Sequence, residues 1–206
     1  MAKRILIAAL ILLSTLAVLL MYLPVMRPAP QSVPLQTNKV QIGGPFSLVN
    51  TRGERVTESI LKGHYSLVYF GFTYCPDICS LALQTITDAI SGLELNSTVV
   101  LPVFISLDPE RDTAEVVAGY IENFHPDFIG LTGTIVQIKT VAEQYRVYAK
   151  KSFFKDVDGN ETNNYTIDHT GFIYLMDPNG LYVDHFADGV TTPEITERLK
   201  KILARS

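Results

Sequence analysis

Ser66-Leu67-Val68-Tyr69-Phe70-Gly71-Phe72-Thr73-Tyr74-Cys75-Pro76-Asp77-Ile78-Cys79 is the stretch on which the reading of this chain turns. Ser66 to Phe72 is an apolar run suited to a strand buried on both faces, and Ile78 to Ile90 carries apolar residues at helical spacing. The chain's two cysteines, Cys75 and Cys79, fall where that strand ends and that helix begins, with Pro76 directly after the first. Two thiols so spaced can share a metal ion, form a reversible disulfide, or do both.

Working outward, the same alternation repeats. Val40 to Thr57 reads as a small hairpin turning at Asn50-Thr51-Arg52-Gly53. Thr98 to Leu107 is a second buried strand, with Pro102 marking a bulge or a strand start. Thr113 to Phe124 is a helix with Asp112 or Thr113 as its N-cap. Phe128 to Leu131 is a short strand, followed by a helix from Ile135 to about Tyr148. Phe172 to Met176 and Leu181 to Phe186 flank the turn Asp177-Pro178-Asn179-Gly180, and Thr192 to Ala204 closes the chain as an amphipathic helix with Pro193 in its first turn. This order predicts an α/β domain resembling a thioredoxin-like fold, a central mixed sheet flanked by helices.

The N-terminal segment is of another kind. From Ile5 to Leu23 there is no charge and little polarity beyond Ser14 and Thr15. About 20 helical residues span a hydrocarbon core of roughly 30 Å, whereas a cleaved signal has an apolar stretch of only about 7 to 15 residues. The expected organisation is a transmembrane anchor over residues 1–24, a proline-rich tether over 25–39 and a folded domain over 40–206. Lys3 and Arg4 precede the apolar run, so the positive-inside tendency leaves the N-terminus in the cytoplasm and exports the rest, with Arg27 acting against it. The expected location is a bacterial inner membrane, crossed once, with the folded domain in the periplasm. Beyond the first four residues the chain has 15 basic and 21 acidic residues, from 17 and 21 overall, and no dense basic block. That excludes nucleic acid as an expected partner.

The export reading bears on the cysteines, because a thiol pair in an oxidising space tends to be oxidised unless a metal or a reductant keeps it open. With Pro76 in the first helical turn, Cys75 would sit at or just before the N-cap, Cys79 one turn on, and both sulfurs would share a helix face. Backbone N–H groups and the helix dipole favour a thiolate there, and the Asp77 carboxylate would oppose it. Redox sites of the thioredoxin type place two residues between their cysteines; the three here, Pro76, Asp77 and Ile78, leave room for a cation. A thiolate pair selects soft or borderline ions, Cu(I) or Zn(II), and two thiolates alone leave such an ion under-coordinated.

A third donor could come from four histidines. His64 precedes the first core strand, at the end expected to lie opposite the cysteines. His125 stands at a helix end, where capping explains it, and His185 lies within a hairpin strand. His169, in Thr166-Ile167-Asp168-His169-Thr170-Gly171, comes just before a core strand, where a thioredoxin-like fold brings a loop over the cysteine pair, and Asp168 could orient its ring.

Four motifs in order carry a more specific likeness: Gly71 to Cys79; Phe104-Ile105-Ser106-Leu107-Asp108-Pro109-Glu110-Arg111-Asp112-Thr113; Gly130-Leu131-Thr132-Gly133; and Tyr165-Thr166-Ile167-Asp168-His169-Thr170. Together they resemble the Sco/SenC family over essentially the whole folded domain. The resemblance implies a membrane-anchored copper metallochaperone rather than an enzyme, one that assists assembly of the CuA centre of cytochrome c oxidase. It implies Cys75, Cys79 and His169 as ligands of Cu(I) and of Cu(II). The implied partners are the copper-bearing subunit of the oxidase and either another copper chaperone or a thiol-disulfide reductant. Ser80 and Tyr74 depart from the family, which often has proline and histidine there.

Two other functions compete. A thiol-disulfide oxidoreductase would use Cys75 and Cys79 as its redox pair without His169, and a thiol peroxidase shares the fold. A plain structural disulfide is weakened as an explanation because so short a loop gains little from cross-linking. Asp156-Val157-Asp158-Gly159-Asn160 resembles a calcium loop, but its glycine is fourth where an EF-hand needs it sixth, so a β-turn in an excursion is expected. Asp108-Pro109-Glu110-Arg111-Asp112 reads as a solvated loop ending in a helix cap.

Overall fold

The computed structural model describes residues 3, 7, 11–18, 41–93 and 100–204. The chain divides into two compact units, Met1–Lys39 and Val40–Ser206. In the first, residues 11–18 are helical. The hydroxyls of Ser14 and Thr15 donate to the carbonyls of Ile11 and Leu12, at 2.9 and 3.0 Å. Among the described residues no helix is long and apolar enough to cross a membrane. Most of the expected anchor and all of the tether lie outside the described residues, as do residues 94–99.

In the second unit the elements run β1 (Ser47–Asn50), β2 (Arg55–Thr57), β3 (Tyr65–Gly71), α1 (Ile78–Ser91), β4 (Val100–Ser106), α2 (Ala114–Ile121), β5 (Ile129–Thr132), α3 (Ile135–Gln144), β6 (Ala149–Lys155), β7 (Glu161–His169), β8 (Ile173–Met176), β9 (Tyr182–Phe186) and α4 (Thr192–Leu203), with a 3-10 turn at Glu58–Leu61. Seven strands form one sheet in the order β2-β1-β5-β4-β3-β8-β9. Strands β3, β4 and β5 are parallel, β8 runs antiparallel to β3, and β1 antiparallel to β5. The mixed sheet expected from the element order is therefore present. Leu67 to Phe70 and Val103 to Ile105 are buried in full or nearly so, which is why β3 and β4 read as continuous apolar runs.

Local chemistry sets the ends of the helices. Thr113, not Asp112, caps α2, its hydroxyl accepting from the Val116 N–H. Thr134 and Gln137 cap α3 reciprocally. Pro102 sits inside β4 opposite Leu67, a position it tolerates because β5 pairs with β4 only from Val103 onward.

Two elements depart from expectation. Helix α3 stops at Gln144, four residues early: Arg146 takes a left-handed φ of 58° and the Val147 N–H turns back to the Ala142 carbonyl. The chain then leaves the sheet as a separate two-stranded hairpin, β6 with β7, from Ala149 opposite His169 to Lys155 opposite Glu161. This is the expected excursion, and Asp156 to Asn160 is its turn. Asp156 Oδ1 accepts from the Asp158 and Asn160 N–H groups, and Gly159 has φ 83°. Its strands escaped sequence reading because β6 is largely exposed and has no period-two apolar pattern.

Candidate metal centre

Strand β3 ends at Gly71, and α1 begins only at Ile78, with Asp77 as its N-cap. Pro76 is therefore outside the helix, and so is Cys75. The sulfurs are not brought together by a shared helix face, as the spacing suggested. A turn after β3 carries Cys75, whose N–H donates to the Phe72 carbonyl at 3.3 Å, while Cys79 lies in the first turn of α1. Both cysteines are free thiols; Cys79 is fully buried and Cys75 half-buried.

Gly71 makes the space for them. A Cβ there would stand 3.0 Å from Cys79 Sγ, 3.0 Å from Tyr69 Cε1 and 3.1 Å from Phe104 Cε2. The missing methyl is what lets the sulfur settle against the sheet beside the Tyr69 ring.

The other side of the site comes from the hairpin. Alternation along β7 points Tyr165, Ile167 and His169 the same way, and Tyr165 and Ile167 are buried. His169 Nε2 lies 3.7 Å from Cys79 Sγ, and its Nδ1 is 3.1 Å from the Thr170 carbonyl. With Nδ1–H donating to that carbonyl, Nε2 presents a lone pair to the sulfur. The rings of Phe72 and Tyr69 meet the imidazole edge-on, at centroid distances of 5.9 and 6.3 Å. Asp168 is exposed on the opposite side of the strand, so it is the Thr170 carbonyl and these two rings that orient the imidazole.

The remaining histidines lie elsewhere. His64 Nε2 is 3.3 Å from the Ile60 carbonyl, at the far end of β3. His125 Nδ1 accepts from the Asp127 N–H, which is the reverse of a capping role. His185 meets Tyr182 Oη at 2.6 Å and stacks with that ring, while the Phe172 ring is tilted against it at 4.6 Å. The fold thus joins Cys79 to His169 and sets Cys75 beside Cys79. Among the described residues no three His, Cys, Asp or Glu side chains stand as a ready-made group for an ion, so ligation by all three asks the half-buried Cys75 turn to close on Cys79 and His169.

The thiols share their proton unequally. Hydrogen bonding from Cys79 is the largest influence on Cys75, joined by the backbone N–H groups of Cys79 and Asp77. These outweigh partial burial and bring Cys75 from the ordinary 9.0 down to about 6. Asp77 acts through its N–H, where its carboxylate had been expected to oppose ionisation. The same bond and deeper burial push Cys79 far upward. Cys75 is the thiolate of the pair, Cys79 the thiol that donates to it.

The sign for stability follows from the proton count. Between about pH 6 and 9 the folded pair holds one proton and the unfolded pair two, so stability rises with pH. Above the ordinary 9.0 the folded state still holds the Cys79 proton, and stability falls again. Urea titrations of the reduced domain at pH 6, 7.5 and 9 are expected to show this rise, and a Cys75→Ser variant to lose it. A rise of equal size in that variant would contradict the shared proton.

Three features of the site had no local signal in the sequence. The first is the Asp108–Asp112 segment, which is not a solvated loop: Asp108 and Asp112 are both fully buried. Asp112 Oδ2 accepts from the Ser106 hydroxyl at 2.5 Å and the Thr73 N–H at 3.0 Å, and Oδ1 accepts from the Thr73 hydroxyl at 2.6 Å. Asp108 pairs with Arg111 and accepts from Tyr165 Oη at 2.8 Å, while Arg111 donates to the Tyr165 carbonyl at 3.0 Å. The guanidinium also lies over the rings of Tyr165 and Tyr74, at 3.8 and 4.9 Å. One network therefore fastens the cysteine turn, the β4–α2 loop and the strand bearing His169.

The second feature is Asp188, which lies against Gly171, where a Cβ would fall 1.8 Å from its Oδ2. Burial raises its carboxyl, and His169 pulls the other way. The third is a largely apolar groove of about 360 Å³ lined by residues that include Ile78, Leu81, Ile173, Asp188 and Val190.

Known proteins share this sequence pattern and fold. A family model described as SCO1/SenC matches residues 35–204. An SCO2-like protein of Rickettsia typhi is 41% identical over 197 residues, covering 95% of each chain. The crystal structure of Arabidopsis thaliana ScoI with copper bound superposes with a TM-score of 0.72 at 43% identity, covering 80% of this chain and 99% of that one. Bradyrhizobium japonicum ScoI with copper bound gives 0.69 at 41% identity, over 78% and 98%.

Proposed function

This chain belongs to the SCO1/SenC family, and from that premise we propose that it is a copper metallochaperone for cytochrome c oxidase, holding copper through Cys75, Cys79 and His169. The observation that carries the reading is the approach of His169 Nε2 to Cys79 Sγ across two separate parts of the fold. Two sulfurs and an imidazole nitrogen suit Cu(I), and the histidine also suits Cu(II). Support for copper over other soft ions comes from the copper-bound ScoI structures of Arabidopsis and Bradyrhizobium. Bound copper would supply the cargo for the CuA centre of the oxidase subunit; the residues of this chain hold and release it.

Cys75 stands on a half-exposed turn outside α1, so the third donor comes from the loop side, where a partner can reach it. Cys79 and His169 stay against the sheet and the hairpin. The charge-free run from Ile5 to Leu23, preceded by Lys3 and Arg4, supports a membrane anchor over residues 1–24 and a periplasmic domain, and the self-bonded hydroxyls of Ser14 and Thr15 suit an apolar surrounding. Anaerobic titration with Cu(I) is expected to end at one equivalent. His169→Ala should weaken binding by about tenfold or more while leaving both thiols countable, and equal affinity in the two proteins would refute the three-donor site.

One observation favours a second reading. A half-exposed thiolate beside a buried thiol is the arrangement of an attacking and a resolving cysteine. As a thiol-disulfide oxidoreductase, Cys75 would attack a partner disulfide and Cys79 would displace the reduced partner, the pair giving up two electrons and its one proton and the partner leaving as one thiol and one thiolate. Full turnover of a mixed disulfide by His169→Ala would favour that function over copper transfer.

A further inference from the structure

The turn that carries Cys75 is firmly held at its start and loosely after it. Thr73 bonds to the buried Asp112 through both its N–H and its hydroxyl. The Cys75 N–H then makes only a long bond, 3.3 Å, to the Phe72 carbonyl, and Pro76 has no N–H to add. Between them stands Tyr74, an exposed aromatic residue whose ring lies 4.9 Å from the Arg111 guanidinium. Consecutive residues of the turn thus meet consecutive residues of the β4–α2 loop, Thr73 with Asp112 and Tyr74 with Arg111. Arg111 is itself fixed: Nε donates to buried Asp108, Nη1 donates to the Tyr165 carbonyl at 3.0 Å, and the Tyr165 ring lies 3.8 Å away. Its remaining nitrogen, Nη2, is buried without a hydrogen-bond partner, which in a folded protein needs an explanation. Two aromatic faces supply it, because their quadrupoles attract the cation where water no longer reaches it.

Tyr165 belongs to β7, the strand that ends at His169, so Arg111 is mounted on the element that carries the imidazole. A ring resting on Arg111 therefore ties the residue before Cys75 to the His169 side of the site. Resting on the copper reading above, we infer that Tyr74 is a positioning residue: its ring, seated on Arg111, holds the Cys75 turn toward β7, so that less ordering is left for Cys75 to undergo in closing on Cys79 and His169. The ring adds no donor to the site. It lowers the conformational cost of bringing in the most mobile of the three ligands. The attraction lies in the ring face, so the Tyr74 hydroxyl is dispensable to it.

Tyr74→Ala removes the ring, and Tyr74→Phe keeps its face. Two quantities are measured on the full-length protein in detergent and on both variants. The first is amide hydrogen exchange of the reduced, copper-free form, corrected for the intrinsic rates of each sequence; the second is Cu(I) affinity by competition with a chelator. A cation–π contact at a partly exposed site predicts that Tyr74→Ala lowers protection of the Cys75 N–H about two- to fivefold and raises the Cu(I) dissociation constant by about the same factor. The Thr73 N–H, held by the Asp112 carboxylate at 3.0 Å, should exchange as in the parent. Tyr74→Phe should match the parent in both measurements.

If Cys75 exchange or Cu(I) affinity is unchanged in Tyr74→Ala, or moves equally in Tyr74→Phe, the assignment is overturned. Loosening of Thr73 together with Cys75 also overturns it, since the ring would then support the fold as a whole and not the turn. If the Cys75 N–H loosens in Tyr74→Ala alone while the parent protein binds no Cu(I), the hold of Tyr74 on the turn stands and the copper reading fails.

Discussion

Replacing Cys79 with alanine is expected to abolish stoichiometric copper binding. Structural zinc sites with four donors gain about 10–16 kcal/mol, so one donor is worth roughly 2.5–4 kcal/mol, or about a hundredfold to a thousandfold in affinity. Cys79 should exceed that share, because it is the sulfur in contact with His169 and the one fixed by the sheet. Its loss leaves Cys75 on a turn with no rigid partner. The Cys75 thiol should also return toward its ordinary 9.0, since hydrogen bonding from Cys79 is the largest influence lowering it. Competition titration and thiolate absorbance near neutral pH read the two effects separately. Retention of copper within tenfold of the parent affinity would remove Cys79 from the ligand set.

The largest effect on stability is expected from Asp112→Ala. The carboxylate is fully buried and accepts three hydrogen bonds, from the Ser106 hydroxyl and from both the N–H and the hydroxyl of Thr73. Alanine leaves all three donors without an acceptor, at about 1–3 kcal/mol for each that stays dry. Thr73 is half-buried and recovers some water, and removing the carboxylate relieves the burial that raises its pKa. The net loss should be about 3 kcal/mol, or about 10 °C in melting temperature for a domain of this size. Asp168→Ala, on the exposed side of β7, should change stability by less than about 0.5 kcal/mol. Urea titration of the two variants decides the matter, and equal, small losses would mean that the Asp112 network carries no stability. Copper affinity should also fall in Asp112→Ala, because Thr73 starts the turn that carries Cys75.

Much of the candidate site could be read from the chain before any coordinates. The apolar run ending at Phe72 and the helical spacing after Ile78 placed the cysteines at a strand-to-helix junction, because burial on both faces and on one face leave different periodicities. His64, His125 and His185 contact other parts of the fold, as their positions in the chain suggest, though His125 accepts from the Asp127 N–H instead of capping a helix end. The Asp108–Asp112 segment was misread for a physical reason: five residues with four charges look solvated, and only partners 39 and 57 positions away in sequence, Thr73 and Tyr165, make them fit to bury. The β6–β7 hairpin was missed because a strand exposed on most of its length has no reason to alternate.

By itself the sequence determined the α/β order, the two thiols at the end of the central strand and a histidine entering the next core strand, since each is set by local patterning and spacing. Tertiary structure decided what that patterning cannot encode. It placed Cys75 on a turn outside the helix, so that one thiol ionises and its partner does not. It gave the orientation of His169 to a carbonyl and two rings instead of Asp168, and it set the Tyr74 ring on Arg111, against the strand that bears His169. All three depend on distances between residues far apart in the chain, and on the energetic cost of burying a polar group, which no single segment can express.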